Sequence, residues 1–295
     1  MTKFALLSYT GTGNLGDEIQ SIAAQQFLPR TDLTVDRDRW TVSSSSLGRE
    51  CKIILNGWFT HNPGGWPPPA FLSPCLVSLH ITREQYGPAA AIPPSVALLR
   101  GDSLEYLKRY QPVGGRDLWT TDLLRRHGVD SYFSGCVTLT LTAANPDERE
   151  DYMCAVDLRD ELYEALSARV RGRILRLSHR DSSGGTFEER CARASKLLAL
   201  YARAKYVVTT RLHCALPCVA FGTPVLLVNA VADQYRFTGL IDLVRNCSAE
   251  TFKRGLADFN FETPDPNSGA HLALRKALID RLEAFTGYHL RPIRP

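Results

Sequence analysis

Val207-Val208-Thr209-Thr210-Arg211-Leu212-His213-Cys214-Ala215-Leu216-Pro217 joins two kinds of local structure. The β-branched run reads as a buried strand. It stops at two threonines, and an apolar-periodic helix begins with Arg211 and His213 in its first turn. Free backbone N–H groups and the positive end of a helix dipole meet a cation there. Arginine is awkward at that end because like partial charges repel. A strong anion sharing the site removes the awkwardness. An ordinary capped helix, with Arg211 in solvent and His213 packed, fits the same letters, and the pattern alone leaves both open.

The surroundings repeat the strand-to-helix rhythm. Upstream, Phe187 to Ala204 reads as a long helix, with Leu197, Leu198, Leu200 and Tyr201 on its packing side. Tyr152–Val156 and residues 171–177 read as strands and 159–169 as a helix. Ser178-His179-Arg180-Asp181 closes the second strand, either as a cleft wall or, by the default reading, as a solvated turn. Downstream, Phe221-Gly222-Thr223-Pro224 is a break before the strand Val225–Val228. Tyr235 to Val244 suggests a helix under a cleft, 256–269 a loop, and 271–286 an amphipathic helix that packs across a domain.

The first half has the same alternation. Phe4–Tyr9 is a buried strand, followed by Thr10-Gly11-Thr12-Gly13-Asn14-Leu15-Gly16-Asp17-Glu18 and a helix with Ile19, Ile22, Ala23 and Phe27 on one face. This is an α/β ligand loop in shape, but neither an ordered dinucleotide fingerprint nor a Walker A loop. Asp17 serves a helix cap by default; a carboxylate at the mouth of a parallel sheet also suits a sugar hydroxyl. Residues 30–50, with the serine run 43–46, read as surface. Ile53-Ile54-Leu55-Asn56-Gly57 is a strand ending in a turn, before a proline-stiffened loop with Trp58, Phe59, His61 and Trp66. Aromatic faces there suit a sugar ring and hydrophobic packing equally. Cys75–His80 is a strand, 88–100 is Ala/Pro-rich with a short helix, and Leu104, Leu107 and Lys108 mark another. Pro112–Asp117 is a short strand, with Asp117 as cap of a helix that Gly128 ends. Val129–Phe133 is a strand, and Gly135-Cys136-Val137-Thr138-Leu139-Thr140-Leu141 leads out of the sheet. Such alternation predicts an α/β protein with mostly parallel sheets. The polar segment 142–151 separates an N-terminal domain, 1–143, from a C-terminal one, 150–262, with a final helix at 270–287 that packs across a domain.

Composition narrows the classes. The 295 residues are 44% hydrophobic and 22% charged, with a net charge of +4, so a nucleic-acid role has no compositional support. The eight cysteines form no CxxC pair, and no secretory signal is seen, which predicts reduced, mostly buried thiols and a cytoplasmic setting. Cys214 and Cys218 beside His213 lack a third and fourth ligand, so no metal is expected. No stretch approaches ~20 apolar residues, so no segment spans a membrane.

Three blocks, in order, resemble the polysaccharide pyruvyl transferase family. They are Gly13-Asn14-Leu15-Gly16-Asp17-Glu18; Gly115-Arg116-Asp117 through Tyr132-Phe133-Ser134-Gly135-Cys136-Val137-Thr138-Leu139-Thr140-Leu141; and Thr210-Arg211-Leu212-His213-Cys214-Ala215-Leu216-Pro217 on to Phe221-Gly222-Thr223-Pro224. The resemblance implies two doubly wound, Rossmann-like domains facing a cleft, similar to GT-B glycosyltransferases. It implies transfer of the pyruvyl group of phosphoenolpyruvate onto a sugar diol, giving a cyclic ketal and phosphate, with phosphoenolpyruvate as donor substrate and no cofactor. Carried over, Arg211, Leu212, His213 and Arg116 hold the donor. His213 is the candidate acid and Asp17 the candidate base or hydroxyl-orienting carboxylate. Asn14, Gly16, Asn56, Trp58 and His179 complete the candidate substrate-binding set, although local packing is the default for Trp58 and His179, as for His61 and Arg180. His80, His127, His271 and His289 get no role. The implied partners are phosphoenolpyruvate and a saccharide or glycolipid acceptor, with peripheral contact at the inner membrane face if that acceptor is lipid-borne; oligomeric state stays open. Two rivals remain: a nucleotide-sugar glycosyltransferase on the same scaffold, and a non-catalytic saccharide-binding protein.

Overall fold

The computed structural model describes residues 2–9, 11–40, 50–59, 65–83, 92–143, 148–229 and 235–292. His61, the serine run 43–46, part of the Ala/Pro-rich segment and part of the polar linker lie outside the described residues.

The first lobe runs β1 (Lys3–Ser8), α1 (Leu15–Gln25), β2 (Leu33–Asp36), β3 (Cys51–Phe59), β4 (Leu72–Ile81), α2 (Pro94–Ala97), α3 (Gly101–Arg109), β5 (Val113–Gly115), α4 (Leu118–Arg126) and β6 (Ser131–Phe133). Its strands form one parallel sheet in the order β2-β1-β3-β4-β5-β6. A buried 3-10 turn, Val137–Thr140, leads out of it. The second lobe runs β7 (Glu150–Val156), α5 (Asp160–Ser167), β8 (Arg173–Leu177), α6 (Phe187–Arg203), β9 (Ala204–Thr209), α7 (Leu212–Phe221), β10 (Val225–Asn229), β11 (Asn246–Ser248) and α8 (Ala249–Lys253). Its sheet is also parallel, in the order β11-β10-β9-β7-β8. The last helix is α9 (Leu272–Thr286). The molecule is therefore α/β, with two parallel sheets flanked by helices.

One apolar cluster joins the lobes. Ile19, Ile22 and Phe27 of α1 belong to the same buried core as Val137, Leu198, Tyr201, Leu216 and Leu282. Hydrogen bonds tie the lobes on two sides of the cleft. Leu15 N–H donates to His179 O at 2.8 Å, and Asp181 N–H to Gly13 O at 2.9 Å. Across the other side, Leu118 N–H donates to Thr238 O at 3.1 Å. Helix α9 touches both lobes: Arg281 donates to Pro112 O at 3.1 Å, Lys52 to Phe285 O at 2.6 Å, and Arg275 to Ala220 O at 3.1 Å.

Several sequence expectations need correction. Residues 33–36 are a buried strand rather than surface, and the following Arg37 is 1% exposed, its guanidinium 4.8 Å from the Tyr9 ring centroid and bonded to Asp38. The strand at Ile53 does not end at Gly57 but bulges there and continues through Trp58 and Phe59. Of the two readings open for Phe59 and Trp66, packing is the one found, in an aromatic core with Trp40 and Tyr106. No continuous helix spans 235–244. Two 3-10 turns, Tyr235–Phe237 and Ile241–Leu243, flank Gly239 at φ +79, where a Cβ would meet Leu118 and Phe133 at 2.9 Å.

Candidate active site

Strand order places the site. In the second sheet, β8 lies on one side of β7 and β9 on the other, so the topological switch falls between β7 and β9. In the first sheet it falls between β1 and β3. Ligands of such sheets bind outside the carboxyl ends of strands at the switch. A cavity of about 450 Å³ opens there, lined by Asn14, Asp17 and Trp58 from the first switch and by Asp157–Arg159 and Thr210–His213 from the second. Arg116, His179, Arg180, Arg236 and Phe237 complete it.

The second-lobe wall is built on two strand ends. Asp157, just beyond β7, sits at φ +52, a left-handed conformation costly for a residue with a Cβ. Its carboxylate binds Arg211 Nε at 2.7 Å, Ser178 Oγ at 2.6 Å and the His179 N–H at 3.2 Å. Burial pushes this carboxyl up, but the Ser178 hydroxyl and Arg211 outweigh it and hold it below the usual carboxylate range. Arg211 is the N-cap residue of α7 and makes no side-chain cap bond. The first N–H groups of α7 therefore have no side-chain acceptor of their own. His213, in the first turn, has its buried Nε2 without a partner. Burial, then Arg116, His179, Arg236 and Arg211, push its pKa well below the ordinary value, so the imidazole is neutral at pH 7 in the empty cavity.

The first-lobe wall is carried by α1 and the turn after β5. Asn14, not Asp17, caps α1, accepting from Gly16 N at 3.2 Å. That corrects the expected capping role of Asp17, whose carboxylate instead accepts from Thr12 Oγ1 at 3.0 Å and Gln20 Nε2 at 3.4 Å while lining the cavity. Gly16 is needed for closeness: a Cβ there would lie 3.1 Å from Asn14 Oδ1, His179 Nδ1 and His213 Nδ1. Arg116 is 4% exposed and 3.6 Å from Asp117, with no hydrogen bond to its guanidinium among the described residues. Asp117 caps α4 through Thr120 N at 2.9 Å and accepts from His80 Nδ1 at 2.6 Å.

The structure thus brings Asp17, Asn14, Trp58, Arg116, His179, Arg211, Leu212 and His213 to one cavity, with Gly16 beneath them. Asn56 is not among the lining residues; it is 1% exposed within β3, with both amide atoms unpartnered and its carbonyl accepting from Tyr9 OH at 3.3 Å. His179 is 1% exposed within a turn whose Ser178 and Arg180 are exposed, so the solvated-turn reading fails for its side chain alone. Sequence reasoning missed Asp157, Leu158, Arg159, Arg236 and Phe237. The first three follow a confidently read strand, but only strand order shows that its end adjoins Arg211. Among the described residues, no group of three or more His, Cys, Asp or Glu is placed to hold a metal ion, and no helix is long and apolar enough to cross a membrane.

The cavity lies between two parallel sheets and is lined by five arginines and two histidines. The family model of polysaccharide pyruvyl transferases matches residues 14–230, and the chain belongs to that family. It is accordingly an enzyme of the transferase type. A search of curated proteins gave no match. Among solved structures, the chain is similar to an uncharacterized protein from Klebsiella pneumoniae subsp. pneumoniae, at 12% identity and TM-score 0.47, covering 84% of this chain and 92% of that one. It is also similar to the wall teichoic acid polymerase TagF, at 9% identity and TM-score 0.41, covering 98% of this chain and 84% of that one.

Proposed function

We propose that the enzyme moves the pyruvyl group of phosphoenolpyruvate onto two hydroxyls of a sugar, forming a cyclic ketal and releasing phosphate. The observation that carries this is the start of α7, with Arg211 as its N-cap residue and no side-chain cap, in a cavity that Arg116 also lines. Phosphoenolpyruvate offers a carboxylate and a phosphate, and two guanidinium forks match both with paired, charge-assisted hydrogen bonds. Five arginines against two aspartates on the cavity wall suit so anionic a donor. In this GT-B-like arrangement, residues 150–262 form the donor side and 1–143 the acceptor side, with 270–287 bracing the first domain. Asp17 and Trp58 then face a sugar: one orients or deprotonates a hydroxyl, the other offers a ring face.

His213 gives a proton to the methylene carbon, and the oxocarbenium-like C2 is attacked by a sugar hydroxyl. Its lowered pKa fits this role once the donor is bound. Burial is the largest cause of the lowering and the arginines come next; the donor neutralises the arginines, so binding raises the pKa. The acceptor is a saccharide or a glycolipid presented at the cytoplasmic membrane face. Phosphate release from phosphoenolpyruvate, measured over a panel of sugars with mass spectrometry for the added ketal, tests the reaction. Release that no acceptor stimulates argues against it, and unchanged activity in His213→Ala removes the acid role.

A further inference from the structure

The ketal reaction moves more than one proton, and the first-lobe carboxylate is not the only group placed to take one. His179 lies at the end of β8, 1% exposed, with Nε2 at 2.9 Å from the hydroxyl of Tyr201, itself 0% exposed on α6. Its other nitrogen, Nδ1, is buried and unpartnered, and it converges with His213 Nδ1 on the space left by the missing Cβ of Gly16. One ring nitrogen is therefore held from behind by a phenol while the other is left bare beside the reacting region. A base oriented by a third group is the general construction for proton transfer.

We infer that His179 is a second proton-transfer residue, taking the proton of the attacking hydroxyl at Nδ1, and that Tyr201 is its positioning residue. This rests on the pyruvyl-transfer reaction proposed above. The groups around the ring fix the tautomer. Tyr201 approaches from α6, Cys214 and His213 from α7, Asp157 from the end of β7 through the His179 backbone, and Asn14 and Gly16 from the start of α1. In the proposed tautomer the phenol oxygen accepts the His179 Nε2–H, and the Nδ1 lone pair is turned toward Gly16 and His213 at the cavity's edge.

The hydroxyl O–H bond breaks as its oxygen bonds to C2 of the donor, and the proton goes to Nδ1. The bond from C2 to the phosphate oxygen breaks with its electron pair on oxygen, and the imidazolium returns the proton there. The second hydroxyl closes on C2, and its proton replaces the one that His213 gave to the methylene carbon.

The test begins with nitrogen-15 histidine spectra of the whole chain, assigned by a His179→Gln control. Wild type shows His179 as the Nε2–H tautomer, and Tyr201→Phe shows a mixture of tautomers. A protonated Nδ1 in the neutral wild-type ring overturns the inference without touching the reaction, which phosphate release tests separately. In turnover, His179→Gln keeps the contact to Tyr201 but has no base. It lowers kcat about a hundredfold with little change in KM for phosphoenolpyruvate and loses the acid limb of the pH profile. Tyr201→Phe lowers kcat about tenfold and shifts that limb. A His179→Gln enzyme with wild-type kcat and an unmoved limb also overturns it.

Discussion

The molecule builds the same local device twice, once in each lobe: a strand, an arginine at its end, and a helix. In the first lobe, Arg116 is followed by Asp117, which caps α4, and the same carboxylate binds His80. The helix cap is supplied from within, although Arg116 Nε and His80 Nε2 stay buried and unpartnered. In the second, Arg211 is itself the N-cap residue, the side-chain cap is missing, and the nearby His213 nitrogen is unpartnered. A turn that meets its own needs stabilises the fold, and one that leaves donors waiting is prepared for a ligand. Both arginines reach the cavity, but only one sits where the backbone also asks for an anion.

The comparison breaks most visibly if Arg211 is made to behave like its counterpart. Arg211→Ser supplies a cap and removes the cation, and phosphate release falls about a thousandfold; a variant keeping a tenth of the activity removes the anion site from α7. The reverse change, Asp117→Ala, strips the first-lobe cap and leaves the buried His80 Nδ1–H only the longer contact to Thr120 Oγ1, at 3.3 Å. It destabilises the protein by roughly 3 kcal/mol in urea unfolding, and a loss below about 1 kcal/mol contradicts the closed character of that turn.

Acid sharpens the contrast further. Burial, then Arg116, push His80 down to about 4. The unfolded chain takes up this proton from about pH 6.5 downward, while the native chain does so only near pH 4. Protons therefore favour the unfolded state across that window, and stability falls as pH falls. At pH 5 the loss from this group is roughly 2 kcal/mol. His213, shifted in the same direction, adds to it in the empty enzyme, and bound phosphoenolpyruvate reduces its share. A Tm that stays flat between pH 7 and pH 5 counts against both buried neutral histidines. The smallest effect is the stability of Arg211→Ser itself, expected to rise by about 1 kcal/mol from the new cap, less what Asp157 loses with its ion pair. A clear fall in stability means that Arg211 holds the fold rather than a ligand.

Much of this was legible in the sequence. The β-branched runs at Val207 and Val225 and the leucine spacing of α6 carry their own period, so the strand–helix alternation and the Arg211–His213 turn could be read directly. Leu33–Asp36 could not, because a short strand flanked by Asp32 and Arg37 looks like surface. The burial of Arg37 depends on Tyr9 and Asp38, contacts made only by folding. Tyr235–Val244 has helical apolar spacing, yet Gly239 must pack against Leu118 and Phe133 from the other lobe. Asp17 looks like a cap because Asn14 at the cap position and Asp17 three residues on are both good capping types. Asp157 carries no local signal, since its importance comes from which strand lies beside β7.

The central claim is that Arg211 and the open end of α7 hold the donor. Calorimetric titration of phosphoenolpyruvate into wild type and Arg211→Ser, in the absence of acceptor, tests it most directly. A wild-type binding isotherm that weakens at least about a hundredfold in the variant is the expected result. Equal affinity in the two proteins would contradict the account.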